Sequence, residues 1–170
     1  MVFTGDGKGK TTASLGIALR AAGYDMKVCM IQFVKGSQVT GELRGSQLLA
    51  PSFRIIRGGK GFVRNVRDKK SLSQHLAAAR KALRLSERII SSGAYDIVIL
   101  DEINYAMSAK LIKVRPVLDL IRRKPADVSL VLTGRRAPHS IINAADLVTE
   151  MRKIKHPYDK GVSARKGIDF

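Results

Sequence analysis

Short, nearly continuous apolar runs alternate along the chain with longer segments in which apolar residues recur at helical spacing. A run of this kind is typical of a strand buried on both faces of a parallel sheet. Strands that alternate with helices indicate an α/β fold, with a mostly parallel sheet and helices on both faces. The predicted strands cover residues 1–4, 27–34, 53–56, 96–102, 129–133 and 147–151, and the predicted helices cover 11–22, 71–92, parts of 103–124, and 138–144.

Local signals set the helix boundaries. Gly23 ends the first predicted helix. The second begins with a capping box, in which Ser71 bonds a free N–H of the first turn and Gln74 reaches back to the cap. In the third helical segment Arg115–Pro116 predicts a break, because proline interrupts a helix interior. Residues 35–47 are polar and contain glycine, and the tail, residues 155–170, has no clear period.

Length and composition favour one domain over residues 1–170. The 170 residues are 45% hydrophobic, which is enough to fill one core. No apolar run approaches the length that spans a membrane, and residues 1–30 lack the pattern of a signal peptide. We therefore expect a cytoplasmic protein without a membrane partner. The single cysteine, Cys29, lies in an apolar run and is interpreted as a small core residue.

Charge is the strongest feature of the composition. Lys and Arg number 31 against 14 Asp and Glu, for a net charge of +17. Such a surface attracts nucleic acid, an anionic membrane or a polyphosphate ligand, and charge alone does not choose among them. Aromatic residues make up only 5% of the chain, which weakens the case for a platform on which bases stack.

A glycine-rich segment follows the first predicted strand. Residues 4–12, Thr-Gly-Asp-Gly-Lys-Gly-Lys-Thr-Thr, are named the phosphate loop below. Alternating glycines let successive backbone N–H groups point at one anion, and the helix that begins at Lys10 adds the positive end of its dipole. Lys10 would reach the terminal phosphates and the Thr11 hydroxyl would reach Mg²⁺. Thr4 stands where the general P-loop pattern has glycine, and an ordinary strand-to-helix turn is the alternative interpretation.

Two further polar groups follow predicted strands. Asp101 and Glu102 end the fourth strand, which is where a nucleotide-binding sheet usually carries the carboxylate that binds its metal ion. The segment Thr133-Gly134-Arg135 follows the fifth strand. Ligands of open parallel sheets bind beyond the carboxyl ends of the strands, so these groups should meet the phosphate loop. The alternative for the acidic pair is a solvated strand end.

The sequence resembles ATP:corrinoid adenosyltransferases of the CobA/BtuR/CobO type, and the resemblance spans the whole chain. That family has the same threonine variant of the P-loop. The segments that carry the resemblance are 4–12, Ile31-Gln32-Phe33-Val34-Lys35-Gly36 with Gly41-Glu42, Leu100-Asp101-Glu102, Thr133-Gly134-Arg135, residues 155–162 and the closing Lys166-Gly167-Ile168-Asp169-Phe170.

This resemblance implies a RecA-like P-loop fold and a reaction at carbon. The 5′-deoxyadenosyl group of ATP moves to cobalt(I) of a corrinoid, and inorganic triphosphate leaves. ATP lies reversed relative to most P-loop enzymes, so its 5′ carbon faces the corrinoid. The corrinoid supplies the nucleophile, so no catalytic base or side-chain nucleophile is expected. The products would be adenosylcobalamin or a related adenosylated corrinoid.

Roles are carried over by position, as expectations. Transition-state support is expected from Lys10, Thr11 and Glu102. Arg20 matches a helix arginine that the family places near ATP, and its alternative is an ordinary surface charge. Lys35 is a further candidate on the same sheet edge. The expected sets are ATP-binding Gly5, Asp6, Gly7, Lys8, Gly9, Lys10, Thr11, Thr12, Arg20 and Arg135; corrinoid-binding Glu42, Phe62, Arg64 and His156; and Mg²⁺-binding Thr11, Asp101 and Glu102.

Two departures from the family concern the corrinoid. Phe62 matches a phenylalanine that presses on the lower face of cobalt, but Arg64 stands where a tryptophan is common. Members usually carry an N-terminal extension that can cover the site, whereas this chain begins just before Thr4. Either this protein dispenses with the extension or the sequence is trimmed before it; if the covering segment is missing, the open site should retain the corrinoid less well. The family also implies a homodimer, an electron-donor protein such as a flavodoxin, and no nucleic-acid partner.

Two other functions fit parts of the sequence. The net charge and the phosphate loop fit a RecA-like ATPase that binds nucleic acid. The phosphate loop and the acidic pair fit a small-molecule P-loop kinase. Product analysis separates both from adenosyl transfer.

Overall fold

The computed structural model describes residues 1–36, 40–63 and 71–169 and has an α/β architecture. Six strands form one sheet in the order β3-β2-β4-β5-β1-β6, and all described pairs are parallel. This confirms the predicted α/β class and is consistent with a P-loop NTPase-like fold. The elements are β1 (Val2–Thr4), α1 (Lys10–Ala22), β2 (Val28–Gln32), α2 (Gly41–Leu48), β3 (Phe53–Arg57), α3 (Leu72–Ile90), β4 (Ile97–Asp101), α4 (Ile103–Ser108), α5 (Val114–Arg123), β5 (Ser129–Thr133), α6 (His139–Asn143), β6 (Val148–Glu150) and a 3₁₀ turn (Pro157–Lys160).

Both faces of the sheet are covered, which explains the continuous apolar runs. Along β2, Cys29 and Ile31 join a core that contains buried residues of α3, α4, α5 and α6. Val28 and Met30 point to the opposite face and join a second core with Ala18 of α1. Side chains alternate between the faces of a strand, so a strand buried on both sides is apolar at every position.

Helix α3 follows its sequence signals closely. The Ser71 hydroxyl accepts the N–H of Gln74 at 3.4 Å, and the Gln74 side chain accepts the N–H of Ser71 at 3.1 Å. The predicted capping box is therefore confirmed.

Two predictions about helices need correction. No helix is predicted in the polar segment 35–47, but α2 begins there at Gly41. Ser46 is the one buried residue of this helix, so no apolar pattern marks it in the sequence. The break predicted near Arg115–Pro116 is present but lies a few residues earlier: α4 and α5 are separated at residues 109–113, and Pro116 lies in the first turn of α5. A first-turn residue has no intrahelical acceptor for its N–H, so proline is tolerated there.

Within the described ranges, no helix has the length and apolar character needed to cross a membrane.

Candidate active site

A row of polar side chains ends the strands on one edge of the sheet. Gln32 at the end of β2 is in register with Asp101 at the end of β4. Thr133 at the end of β5 is in register with Phe3 of β1, one residue before the phosphate loop. All carboxyl ends of a parallel sheet lie at the same edge, so these residues converge as the sequence predicts.

The phosphate loop is a tight backbone turn packed against the residues after β6. Gly5 and Gly9 adopt positive φ angles of 94° and 122°, which glycine tolerates best. The Gly7 N–H donates to the Met151 carbonyl oxygen at 2.6 Å. A Cβ added at Gly7 would lie 2.6 Å from that oxygen, so no larger residue fits without movement.

Lys10 is folded into the phosphate loop. Its Nζ donates to the carbonyl oxygens of Gly5 at 2.7 Å and Gly7 at 2.6 Å, and the residue is only 6% exposed. Burial lowers the pKa of Lys10, and the nearby Glu102 carboxylate opposes that change. No side chain caps α1 at Gly9, so the first-turn N–H groups remain available to an anion.

Asp101 lies beneath the loop and ties it to two strands. The hydroxyls of Thr11 and Thr133 donate to its Oδ1 at 2.9 and 2.8 Å. Oδ2 is buried and has no hydrogen-bond partner among the described residues. Burial raises the pKa of Asp101, and the two threonine hydroxyls oppose that change. Because Thr11 directs its proton at Asp101, the lone pairs of its oxygen stay available to a cation.

Glu102 is turned into the site by an unusual backbone conformation. Its φ is +63°, in the left-handed region that a non-glycine residue seldom adopts. The Glu102 N–H donates to Thr133 Oγ1 at 2.9 Å, which holds this turn. Burial, followed by repulsion from Asp101, raises the pKa of Glu102 to about 7.

Lys35 and Glu42 form an ion pair on the opposite side of the site. The Gln32 amide lies 3.4 Å from the same Glu42 oxygen. Burial alone would raise the pKa of Glu42, but its hydrogen bond with Lys35 contributes to holding that pKa below its usual value. The positive charge of Lys35 also favours the ionised forms of Asp101 and Glu102.

Two aromatic residues that contact each other, Phe62 and Tyr105, also border the site. The rings of Phe62 and Tyr105 meet edge to face, with centroids 5.1 Å apart and an interplanar angle of 72°. Phe62 is 45% exposed, which is unusual for a phenylalanine and leaves apolar surface open to a ligand. Arg64, two residues further on, lies outside the described residues.

These groups surround one cavity of about 710 Å³. Most of the predicted ATP- and corrinoid-binding residues line it, and Asp101 lies directly beneath Thr11. Arg20, Gly5 and Asp6 do not line it, and Arg20 is exposed in the last turn of α1. The lining residues are Gly7, Lys8, Gly9, Lys10, Thr11, Thr12, Leu15, Lys35, Gly41, Glu42, Phe62, Glu102, Tyr105, Arg135, His156, Gly167, Ile168 and Asp169.

Three features of this lining were not assigned by sequence reasoning. Leu15 lies one helical turn after the phosphate loop, and its position on α1 is a sequence signal that it faces the same cavity. Tyr105 lies three residues after Glu102, within one turn. Residues 167–169 return from the tail, and their only signal was their place in the family resemblance.

His156 also lines the cavity but is engaged locally. Its Nδ1 accepts the N–H of Tyr158 at 3.1 Å, which leaves the other ring nitrogen for a ligand. This ring begins the 3₁₀ turn in the tail.

The arrangement suits a polyphosphate ligand bound beside an apolar one. Lys8, Lys10, Lys35 and Arg135 place four cationic side chains around the cavity. In the described part of the chain, no group of three or more His, Cys, Asp or Glu residues could hold a metal ion without help from a ligand. The aromatic rim offers an apolar surface at the same opening.

Comparison with known proteins identifies the relatives of this chain. The family model described as ATP:corrinoid adenosyltransferase BtuR/CobO/CobP matches residues 1–170. A corrinoid adenosyltransferase of Escherichia coli strain K12 is 34% identical over 170 residues, which cover 100% of this chain and 84% of the relative. The corrinoid adenosyltransferase of Pseudomonas aeruginosa is 34% identical, and this chain covers 82% of its length. That of a Sinorhizobium species is 37% identical, and this chain covers 79% of its length.

Proposed function

This chain belongs to the ATP:corrinoid adenosyltransferase family and is an enzyme of that activity, and we propose how its cavity carries out the reaction. The 5′-deoxyadenosyl group of ATP moves to cobalt(I) of a bound corrinoid, and inorganic triphosphate leaves. The observation that carries this proposal is the single cavity shared by the phosphate loop and the exposed Phe62.

The reaction needs no proton transfer at the reacting carbon. Cobalt(I) of the substrate supplies the electron pair of the new cobalt–carbon bond and becomes cobalt(III). The bond between the 5′ carbon and oxygen breaks, and its electron pair leaves with triphosphate. The protein therefore has to stabilise the leaving group, align the reactants and exclude water.

The phosphate loop stabilises the leaving group in this proposal. Triphosphate is a strong polyanion, and the open N–H groups at the start of α1 present positive partial charge to it. Lys10 exchanges its bonds to the Gly5 and Gly7 carbonyls for bonds to phosphate oxygens. Arg135 on the loop after β5 adds a fork of donors from another side.

The residues beside the loop fit Mg²⁺ bound together with substrate phosphates. Thr11 has free lone pairs, Glu102 faces the cavity, and the unpartnered Oδ2 of Asp101 lies beneath them. Mg²⁺ is usually held by one or two carboxylates with substrate phosphates, and a protein cage of ligands is not required. The ion would neutralise charge on the leaving triphosphate. We assign Thr11 and Glu102 to direct contact and Asp101 to positioning Thr11.

The corrinoid occupies the aromatic side of the cavity in this proposal. Phe62 would pack on the corrinoid, and Tyr105 fixes the orientation of its ring. His156 and Glu42 provide polar contacts at the rim, although Glu42 already pairs with Lys35.

Three further proposals rest on the family resemblance. The enzyme works in the cytoplasm, as a homodimer, and receives cobalt(I) through an electron-donor protein such as a flavodoxin. Light scattering coupled to size-exclusion chromatography tests the assembly, and a monomer at assay concentration would refute it.

Product analysis tests the proposed reaction. The protein is incubated with Mg-ATP and a chemically reduced corrinoid, with the unreduced corrinoid as the control. We expect equal amounts of triphosphate and a light-sensitive adenosylated corrinoid in the reduced sample alone. Formation of only ADP and phosphate would refute adenosyl transfer. Phosphate release that depends on added nucleic acid would instead support an ATPase.

A further inference from the structure

The tail returns to the phosphate loop through a compact turn. Residues 165–169, named the closing turn, are held by the N–H of Asp169, which donates to the Arg165 carbonyl oxygen at 2.8 Å. Gly167 adopts a φ of +78°, which permits the reversal. Three residues of the closing turn line the cavity: Gly167, Ile168 and Asp169.

Among the described residues, one ion pair joins this tail to the phosphate loop. The Asp169 carboxylate pairs with the Lys8 ammonium through Oδ1, and its Oδ2 accepts the N–H of Arg165 at 2.7 Å. Within the described part of the chain, the other hydrogen bonds of residues 153–169 join members of that segment, such as Lys153 with Asp159 at 2.9 Å. The pair of Lys8 and Asp169 is therefore the polar link between the tail and the loop.

We propose that Asp169 is an internal counter-anion for Lys8, which triphosphate must displace when it binds. This inference rests on the proposed function, because it assumes that triphosphate occupies the phosphate loop. It assigns a positioning role to the acidic residue of the closing Lys-Gly-Ile-Asp-Phe motif: Asp169 holds Lys8 at the cavity and competes with the ligand for it.

Simultaneous contact of Lys8 with both anions is unfavourable. An ammonium group has three donors, but a carboxylate and a phosphate on the same nitrogen would bring like charges within a few ångströms. Lys8 and Asp169 keep side-chain exposures of 42% and 25%, so solvent reaches the pair and exchange requires no opening of the core. The carboxylate therefore gives way when phosphate binds, and it takes Lys8 back when triphosphate leaves.

Triphosphate affinity tests this competition. Binding of inorganic triphosphate is measured by calorimetry for the wild type, Asp169→Asn, Lys8→Ala and the double variant. Exposed ion pairs contribute modestly, so we expect Asp169→Asn to tighten binding by about two- to five-fold. Lys8→Ala weakens binding, and Asp169→Asn added to Lys8→Ala gives no tightening. The matched control is Asp159→Asn, which removes the same charge from the same segment but from a pair with Lys153. It should leave the affinity unchanged.

Several results would overturn the proposal. Unchanged or weaker binding by Asp169→Asn excludes competition. Equal tightening by Asp159→Asn would show a general charge effect, and tightening that persists without Lys8 would show that Lys8 is not the shared group. If the wild-type protein does not bind triphosphate, the proposed phosphate loop itself is refuted. If the wild type binds triphosphate and Asp169→Asn has no effect, only the competition is refuted. Thermal unfolding of each variant checks that the fold is retained.

Discussion

Replacing Glu102 with glutamine is expected to stabilise the unliganded protein at neutral pH while removing a carboxylate that we propose binds Mg²⁺ in the reaction. Glutamine keeps the size of the side chain and resembles the protonated acid. The backbone at residue 102 stays in the left-handed region in both proteins, so that strain cancels in the comparison. The difference between the two proteins then reports the cost of the buried charge.

The magnitude follows from the pKa of Glu102. Burial and Asp101 raise it from 4.5 to about 7, and each unit of pKa difference between folded and unfolded states corresponds to about 1.4 kcal/mol. Well below pH 4.5 the acid is protonated in both states and costs nothing. As the pH rises to 7, the unfolded state releases its proton first, so the free energy of unfolding falls. Well above pH 7 the ionised carboxylate destabilises the folded protein by at most about 3.5 kcal/mol.

Urea unfolding at pH 5, 6, 7 and 8, without nucleotide or Mg²⁺, measures this effect. We expect the stability advantage of Glu102→Gln to be smallest at pH 5, at about 1 kcal/mol, and to grow to about 3 kcal/mol at pH 8. Adenosyl transfer by the variant should be strongly reduced at every pH, which separates stability from function. Parallel curves of stability against pH for the two proteins would refute the reasoning, because they would show that Glu102 ionises with its ordinary pKa.

Two further predictions concern the phosphate loop. Lys10→Ala removes the ammonium that we propose bonds the phosphates, and a charged hydrogen bond contributes about 1.5–3 kcal/mol. Because Lys10 gives up its bonds to the Gly5 and Gly7 carbonyls when it binds phosphate, only the net gain is lost in the variant. We expect ATP affinity in a calorimetric titration to fall by about 10-fold or more. The exposed Lys81→Ala on α3 is the control, and unaltered affinity for Lys10→Ala would contradict our placement of the phosphate site. Gly7→Ala should lower both thermal stability and ATP affinity, because its Cβ would lie 2.6 Å from a carbonyl oxygen. The matched control is Gly16→Ala in the interior of α1, where an added Cβ has no atom within 4 Å and should raise stability by about 0.5–1 kcal/mol. Equal effects of Gly7→Ala and Gly16→Ala on stability would contradict the packing of the phosphate loop.

The fold was predictable where burial determines the sequence. Strands β2, β4 and β5 lie inside the sheet and pack on both sides, so their positions are apolar in continuous runs. Helix α2 was missed because it packs weakly and contains few apolar residues at core positions. The break between α4 and α5 was misplaced because Pro116 has the same local sequence signal in a first turn as in a helix interior.

The site was predictable where it follows from sheet topology. Parallel strands deliver the phosphate loop, Asp101 and Arg135 to one edge, and the cavity lies there. The pairing of Lys35 with Glu42 was not predictable, because it depends on the path between β2 and α2. The approach of Asp169 to Lys8 joins residues 161 positions apart, and no local pattern reports such a contact.

The cationic side chains around the cavity differ in how much they can add to binding. Lys10 is bonded to loop carbonyls, Lys8 to Asp169 and Lys35 to Glu42. Arg135 makes no hydrogen bond or ion pair with the described residues, and its existing interaction is the longer-range attraction that favours the ionised form of Glu102. If triphosphate binds as proposed, its binding is largely an exchange of partners, and each lysine contributes the difference between two interactions. The net charge of +17 attracts anions to the surface, whereas in this proposal the affinity of the cavity depends on the carbonyl and carboxylate partners that a ligand must replace.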